Sequence, residues 1–327
     1  MNIQIELIAP GGVENLKVSS CPTPQPGPDD ICILQESIGI NFIYIYHRKG
    51  LYPLPQPAIP GVEAAGTILA VGDNVKELKE GDHIVYAGIT GAYTATRVLP
   101  AWRAVKLSDQ IDIRMAGGSF LRGLTAYMLL KQSFPVTKGN VILVHAAAGG
   151  LGTIVTRWAK KIGATVIGTV STDEKAEAAR RNGVDHVITG RNADLIAEVK
   201  RITNGQGVNY AIDGIGGDML EKTISCVRRL GVIASIGQVA GPVSVSAIEK
   251  ICSEQSVIFL QPSIMEFSAN ADTYRNAAKA VIELMTEGMF LKTRNEYALK
   301  DVAKAQNDLE NGKITGYSIL IPYPAQS

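Results

Sequence analysis

The run NVILVHAAAGGLG, Asn140 to Gly152, gathers the residue types that can seat an anion. Val141 to Val144 are β-branched or apolar, as in a strand buried on both faces. Ala146, Ala147, Ala148, Gly149, Gly150 and Gly152 follow. They are small enough for the backbone to turn sharply, approach a pyrophosphate and pack a helix on a sheet. A helix from Gly150 to about Ile162 then aims its unsatisfied N–H groups and positive dipole end at phosphate. This is a variant dinucleotide fingerprint, with Ala147 where the first glycine usually stands.

The positions beyond it bear on which dinucleotide. A unit for unphosphorylated ribose ends its second strand in Asp or Glu, about twenty residues past the glycines. Here TVIGTV, Thr165 to Val170, runs into Ser171-Thr172, and Asp173 falls too late; it is placed to cap the next helix. An uncharged strand end with Lys175 close behind accepts a 2′-phosphate, because hydroxyl and ammonium groups both satisfy its oxygens.

These groups need a scaffold, and the pattern supplies one. Strands at Thr165 to Val170, His186 to Ile188, Asn209 to Asp213 and Val232 to Ile236 alternate with helices at Glu174 to Arg181, Ala193 to Thr203 and Asp218 to Arg228. Such alternation predicts a parallel, doubly wound sheet with helices on both faces. Ligands lie at the carboxyl ends of its strands. Those ends carry glycine: HAAAGG, DGIGG from Asp213 and IGQVAG from Ile236.

Before this unit the periodicity is that of strands. Ile3, Ile5 and Leu7 alternate with polar residues, and Ile31, Ile33, Ile38 and Ile40 mark a second strand region. CPTPQPGPDD and LYPLPQPAIPG are proline-punctuated loops, and a β-rich segment to Ala87 turns at Gly72-Asp73-Asn74 and Glu80-Gly81-Asp82. The expectation is a small barrel-like domain of low helix content. Met115 to Phe134 reads as a bridging helix with Gly117, Gly118 and Gly123 as weak points. Helices at Asp272 to Met285 and Leu299 to Leu309, then a strand at Tyr317 to Ile321, return the chain to the first domain.

A chain of 327 residues exceeds what one core usually serves, so two domains are expected. With 32 Lys and Arg against 31 Asp and Glu there is no global field for a polyanion, and no basic run interleaved with aromatics. That argues against a dedicated nucleic-acid function. The N-terminal residues lack the pattern of a signal peptide, and no apolar stretch reaches membrane-spanning length. Cys21, Cys32, Cys226 and Cys252 are scattered without a CxxC pair, as for reduced thiols in a cytoplasm.

Several stretches in register now carry a resemblance. IGINFIYIYHRKGLYP, PGVEAAGTILAVGDNVKELKEGDHIVY, GLTAYMLL, HAAAGGLG with WAKKIGATVIGTV, DGIGGD, IASIGQVAGPV and GYSILIP together resemble the zinc-free quinone oxidoreductases, the ζ-crystallin-like branch of the medium-chain dehydrogenase/reductases. The likeness spans the chain. It implies an α/β fold: a discontinuous GroES-like catalytic domain, 1–122 with 266–327, and a Rossmann domain, 123–265. It implies NADPH as cofactor, a homodimer or a tetramer of dimers, and cofactor contacts at Asn41, Thr125, Ala148, Gly149, Gly150, Leu151, Ser171, Lys175, Arg191, Gly214, Ile236, Gly237, Gln238 and Lys313.

In the zinc-dependent branch a Gly-His-Glu run supplies a metal ligand; here it reads Gly61-Val62-Glu63, and valine has no donor atom. The cysteine-rich lobe between Tyr86 and Lys106 is also missing, and His47, His83, His145 and His186 stand singly. No zinc is expected. Hydride transfer without a Lewis acid needs an electron-poor acceptor, a quinone or a conjugated C=C bond. By resemblance Asn41, Tyr46 and Tyr52 line the acceptor cleft: Asn41 at the nicotinamide end, the tyrosines offering flat faces and hydroxyls, with Tyr46 or Tyr52 as proton donor for a C=C substrate. Other readings are an alkenal or enoyl-thioester reductase, or a non-enzymatic NADPH- or nucleic-acid-binding protein.

Three positions depart from the family. Tyr44 stands where Asp is common and is expected to restrict acceptor size. Gly190 replaces a tyrosine near the 2′-phosphate, with Arg191 beside it to compensate, and Gln261-Pro262 replaces Arg-Pro, with Lys313 as a possible substitute.

Overall fold

The computed structural model describes residues 2–245, 248–249, 256–314 and 316–323. Cys252 lies outside them. The chain divides into two compact units, Met1–Leu121 with Ser268–Ser327, and Arg122–Phe267. Among the described residues no helix is long and apolar enough to cross a membrane.

The first unit is built on strands. β1 (Asn2–Leu7) and β2 (Leu16–Cys21) form an antiparallel ribbon. β3 (Asp30–Gly39), β4 (Glu63–Val71), β5 (His83–Ala87) and β7 (Val105–Lys106) form the antiparallel body of a larger sheet, and β6 (Thr96–Pro100) also pairs with β3. One helix interrupts them, α1 (Phe42–Lys49). Its aromatic, β-branched sequence is a poor helix former, so its ends decide. Asn41 takes the N-cap position and Gly50 closes the helix at φ 77. Arg48 and Lys49 stand in the last turn, where the helix dipole favours cations.

α2 (Ile113–Tyr127) follows. Its glycines are contact points rather than weak points. A Cβ on Gly117 would stand 2.4 Å from the Ser37 carbonyl oxygen, and one on Gly118 would stand 2.6 Å from Ile319 Cγ2. Glycine therefore lets this helix lie directly on β3 and on a strand near the C-terminus. From Met128 to Ser133 the helix widens into π-type turns, a form common where a helix meets a functional constraint.

In the second unit β8 (Val141–Val144), β9 (Thr165–Val170), β10 (His186–Thr189), β11 (Val208–Asp213), β12 (Val227–Ser235) and β13 (Ile258–Leu260) form a wholly parallel sheet. The spatial order is β10-β9-β8-β11-β12-β13. That is the Rossmann order, reversing between β8 and β11. α3 (Gly150–Ile162), α4 (Asp173–Arg181), α5 (Leu195–Ile202) and α6 (Gly217–Cys226) connect the strands. Leu143, Ile167, Ala211 and Ile233 meet Val199, Leu220 and Ile224 in the core. Each such aliphatic side chain contributes roughly 1.5–3 kcal/mol by leaving water.

Several boundaries differ from the sequence reading, and two of them show why. α5 starts at Leu195 because Asp194 Oδ1 accepts the Ala197 N–H at 3.0 Å. α6 stops at Cys226 rather than Arg228, because Val227 turns extended and pairs with Val208. The chain then returns to the first unit through a helix at Ala271–Thr286, β14 (Thr293–Ala298), a helix at Val302–Glu310 and β15 (Tyr317–Ile321). β14 joins the large sheet by a parallel pairing with β15, and β15 pairs antiparallel with β3.

Candidate active site

In the second unit the site is made of backbone. Gly149 is the N-cap of α3 and brings no capping side chain. The first-turn N–H groups are thereby left for an outside acceptor. A Cβ on Gly152 would come within 2.4 Å of the Ala146 carbonyl oxygen and 2.8 Å of Ala147 Cα, so only glycine lets the helix start this close to the loop. Ala146 takes φ 51 to make the turn. Ala148, Gly149, Gly150 and Leu151 are half-buried along this lip.

Beside it, Thr172 is the N-cap of α4, its Oγ1 accepting the Lys175 N–H at 3.3 Å. This corrects the expectation that Asp173 caps; Asp173 is the first helical residue, where a carboxylate still favours the dipole. The cap leaves Ser171 and Lys175, both half-buried, flanking the end of β9. Gly190, at φ +105, donates its N–H to the Val170 carbonyl at 2.9 Å, which brings the turn carrying exposed Arg191 beside that strand end. An L-residue rarely adopts that φ, so the loss of a side chain at 190 goes with the shape of the turn.

At the ends of β11 and β12 the backbones nearly touch. A Cβ on Gly237 would lie 2.6 Å from the Gly214 carbonyl oxygen, and one on Gly216 would lie 2.9 Å from Gln238 Cα. Gly214, Ile236, Gly237 and Gln238 are thus brought together. Below them is a buried network that sequence reasoning missed. Asp213 Oδ1 accepts the N–H groups of Ile215 (2.7 Å) and Gly216 (2.9 Å), while Oδ2 accepts the Thr223 hydroxyl at 2.8 Å. Thr223 Oγ1 is also 2.8 Å from His145 Nε2, and His145 Nδ1 is 2.9 Å from Thr169 Oγ1. With the Thr223 proton given to the carboxylate, Nε2 must donate and Nδ1 accept. Burial lowers the His145 pKa, with Asp213 opposing, and the ring is neutral. The network ties together the ends of β8, β9 and β11, where the glycine turns begin. Its signal in the sequence was an Asp immediately before Gly-Ile-Gly-Gly.

In the first unit the site is made of side chains. Asn41 is buried, and its Nδ2 donates to Tyr44 Oη at 3.0 Å and to Glu63 Oε1 at 2.6 Å. Glu63, wholly buried on β4, accepts the Leu121 N–H through Oε2 at 2.6 Å. Tyr44 is wholly buried and meets Tyr93 edge-on at 5.4 Å. Burial, reinforced by the neighbouring Glu63 carboxylate, raises its pKa well above the usual range, so it stays a phenol. With no exposed surface Tyr44 offers no wall to a ligand; its side chain acts on Asn41 instead, and a change of acceptor preference in Tyr44→Asp is the test of the expected restriction on acceptor size. Tyr46 and Tyr52 come together edge-on at 5.3 Å, Tyr46 buried and Tyr52 exposed.

The remaining residues are dispersed. Thr125 is half-buried on α2, and Gln261 is exposed just after β13. Lys313 stands 3.7 Å from Asp308 Oδ1, an ion pair within the first unit. Val62 is wholly buried, and among the described residues no three His, Cys, Asp or Glu side chains gather as a metal would need.

Comparison with known proteins agrees with this architecture. Residues 27–109 match the alcohol dehydrogenase GroES-like domain, and residues 150–287 match the zinc-binding dehydrogenase domain. Quinone oxidoreductase 1 of Escherichia coli K12 is 36% identical, with 98% of this chain and 100% of that protein covered. A 2-haloacrylate reductase of a Burkholderia species is 32% identical over 95% of this chain and 96% of its own. The crystal structure of the Escherichia coli quinone oxidoreductase complexed with NADPH superposes with a TM-score of 0.93 at 36% identity, covering 98% of this chain and 100% of that one. The chain belongs to the quinone oxidoreductase family of the medium-chain dehydrogenase/reductases.

Proposed function

We propose that this protein is an NADPH:quinone oxidoreductase working without a metal. The observation that carries the reading is the second unit's lip: an uncapped helix N-terminus at the point where the strand order reverses, beside a strand end followed by Ser171 rather than an acid, with Lys175 in the first turn of α4. When bound, NADPH supplies a hydride to an electron-poor acceptor.

The chain's own residues bind and orient. Ala148, Gly149, Gly150 and Leu151 present N–H groups to the pyrophosphate, and Ser171, Lys175 and Arg191 meet the 2′-phosphate. Gly214, Ile236, Gly237 and Gln238 leave room for the rest of the dinucleotide, with Thr125, Lys313 and Asn41 as further contacts. Tyr46 and Tyr52 give flat faces to a planar ring, and a hydroxyl that holds or passes a proton at an oxygen or carbon of the acceptor. Residues 1–122 and 266–327 act as the catalytic domain and 123–265 as the cofactor domain.

A second reading is reduction of a conjugated C=C bond, favoured by the likeness to a 2-haloacrylate reductase. Rates of NADPH and NADH oxidation at equal concentration, with a panel of quinones and enones, decide among these. The proposal expects NADPH to win by at least about tenfold, the worth of one charged phosphate contact, and quinones to outpace enones. Faster turnover with NADH, or with enones alone, reverses it. The family reading also makes the protein a cytoplasmic homodimer. Edge strand β13, with Ile258 exposed, suits pairing with a second copy, and sedimentation tests it.

A further inference from the structure

We propose that Tyr44 and Glu63 form a clamp on Asn41 that spends both hydrogens of its amide and leaves Oδ1 alone to meet a ligand. This rests on the quinone reductase reading for what the ligand is, but not for the clamp itself.

An asparagine at a helix N-cap ordinarily folds its carbonyl oxygen back onto an N–H of the first turn. Asn41 sits there, with φ −133 and ψ 154, yet its side chain makes no cap bond. The amide is turned the other way. A primary amide nitrogen has two hydrogens, and both have takers, Tyr44 Oη at 3.0 Å and Glu63 Oε1 at 2.6 Å. The carboxylate fixes which end is which, because reversing the amide would set Oδ1 against an anion.

Neither jaw is free to move. Tyr44 and Glu63 have no exposed surface. The Tyr44 ring rests on Tyr93 at an interplanar angle of 82°. Glu63 is held at its second oxygen by Leu121. Asn41 itself keeps a residual exposure of 7%. The result is a preset acceptor, suited to an N–H or O–H donor such as a carboxamide or ribose hydroxyl of the cofactor. Tyr44 is therefore a positioning residue that acts through Asn41. Its phenol provides an acceptor without setting a second negative charge beside Glu63.

The test uses the whole apoprotein labelled with 15N, the Asn41 side-chain signals being assigned by their loss in Asn41→Asp. Both Asn41 amide protons should exchange at least about tenfold more slowly than those of exposed asparagines. In Tyr44→Phe one of the two loses that protection while the melting temperature falls by no more than a few degrees, because the ring still packs on Tyr93 and only one hydrogen bond is lost. Quinone reduction by the same variant should lose about tenfold in kcat with quinone KM unchanged, and nothing further when Tyr44→Phe is added to Asn41→Ala. Unchanged exchange in Tyr44→Phe, or an equal kcat loss in the Asn41→Ala background, overturns the clamp. A wild type that oxidises no NADPH with any quinone sinks the proposed function, while the exchange measurement still decides the clamp.

Discussion

The two units build their sites by opposite means. In the parallel unit the lip of α3 and the ends of β11 and β12 are backbone, shaped by glycines that bring chain within contact of chain. In the mainly antiparallel unit the corresponding work falls to buried polar side chains, Asn41, Glu63, Tyr44 and, nearby, Arg48 and Gln306. The difference follows from the sheets. A parallel sheet whose strand order reverses opens a crevice at its strand ends, where helix N-termini already point. The mainly antiparallel sheet offers no such crevice, so polar groups must be desolvated one by one and matched to partners. One design tolerates side-chain change and fails on added bulk; the other fails on lost partners.

The sharpest break of that comparison is Gly152→Ala. The new methyl would meet backbone at 2.4 Å, and no side chain can yield to it. A loss of about 3 kcal/mol is expected, with NADPH binding, followed by fluorescence, weakened at least tenfold. Wild-type melting and binding in this variant would refute a backbone-built seat.

The converse prediction falls on the other unit. Arg48 is 2% exposed and pairs with Glu310 at 2.6 Å, while its Nε and Nη1 have no partner. Burial alone would raise the Glu310 pKa, but Lys49 and Arg48 bring it down. Removing the carboxylate strands a buried cation. Glu310→Ala should cost about 2–3 kcal/mol, somewhat less than a fully buried pair because Glu310 is partly solvated. A change below about 0.5 kcal/mol in urea unfolding would show that the pair is a surface contact in effect.

Acid gives a third, smaller test. Burial lowers the His47 pKa from 6.5 to about 4. The unfolded chain therefore binds the proton first. The stability held by the neutral ring is fully present above pH 6.5 and drains away as pH falls toward 4. Between pH 7 and pH 5 this amounts to about 2 kcal/mol. His47→Gln should flatten that stretch of the stability profile; an unchanged slope would mean the ring is solvated.

What could be read from the sequence follows the same division. The bounds of α3, β9 and β15 were legible because a strand–glycine–helix run and an apolar closing strand are local patterns. α1 was not. Phe42, Tyr44 and Tyr46 alternate with Ile43 and Ile45 at the period of a strand, and the one local sign of a helix is its close at the left-handed Gly50. Glu63 was noticed only as the neighbour of a missing histidine. Its meaning comes from Asn41, 22 residues away, and spacing along the chain does not report a contact of that kind. Gly117 and Gly118 looked like flaws in a helix because the strands they touch, β3 and β15, are distant in sequence.

The smallest effect expected separates two adjacent residues in the cofactor unit. Thr172 caps α4, with the Lys175 N–H bound to its hydroxyl, and so fixes the turn from which Ser171 and the Lys175 side chain emerge. Thr172→Ala should cost about 1 kcal/mol. Asp173, one residue on, contributes only its charge near the helix dipole, so Asp173→Ala should cost a few tenths of a kcal/mol, less at high salt. The cap also bears on affinity. Fraying the first turn of α4 loosens Lys175, so Thr172→Ala should weaken NADPH more than NADH, whereas Asp173→Ala removes a negative charge and should, if anything, tighten NADPH. The reverse ranking would move the cap to Asp173 and detach the 2′-phosphate contact from the backbone design of this unit.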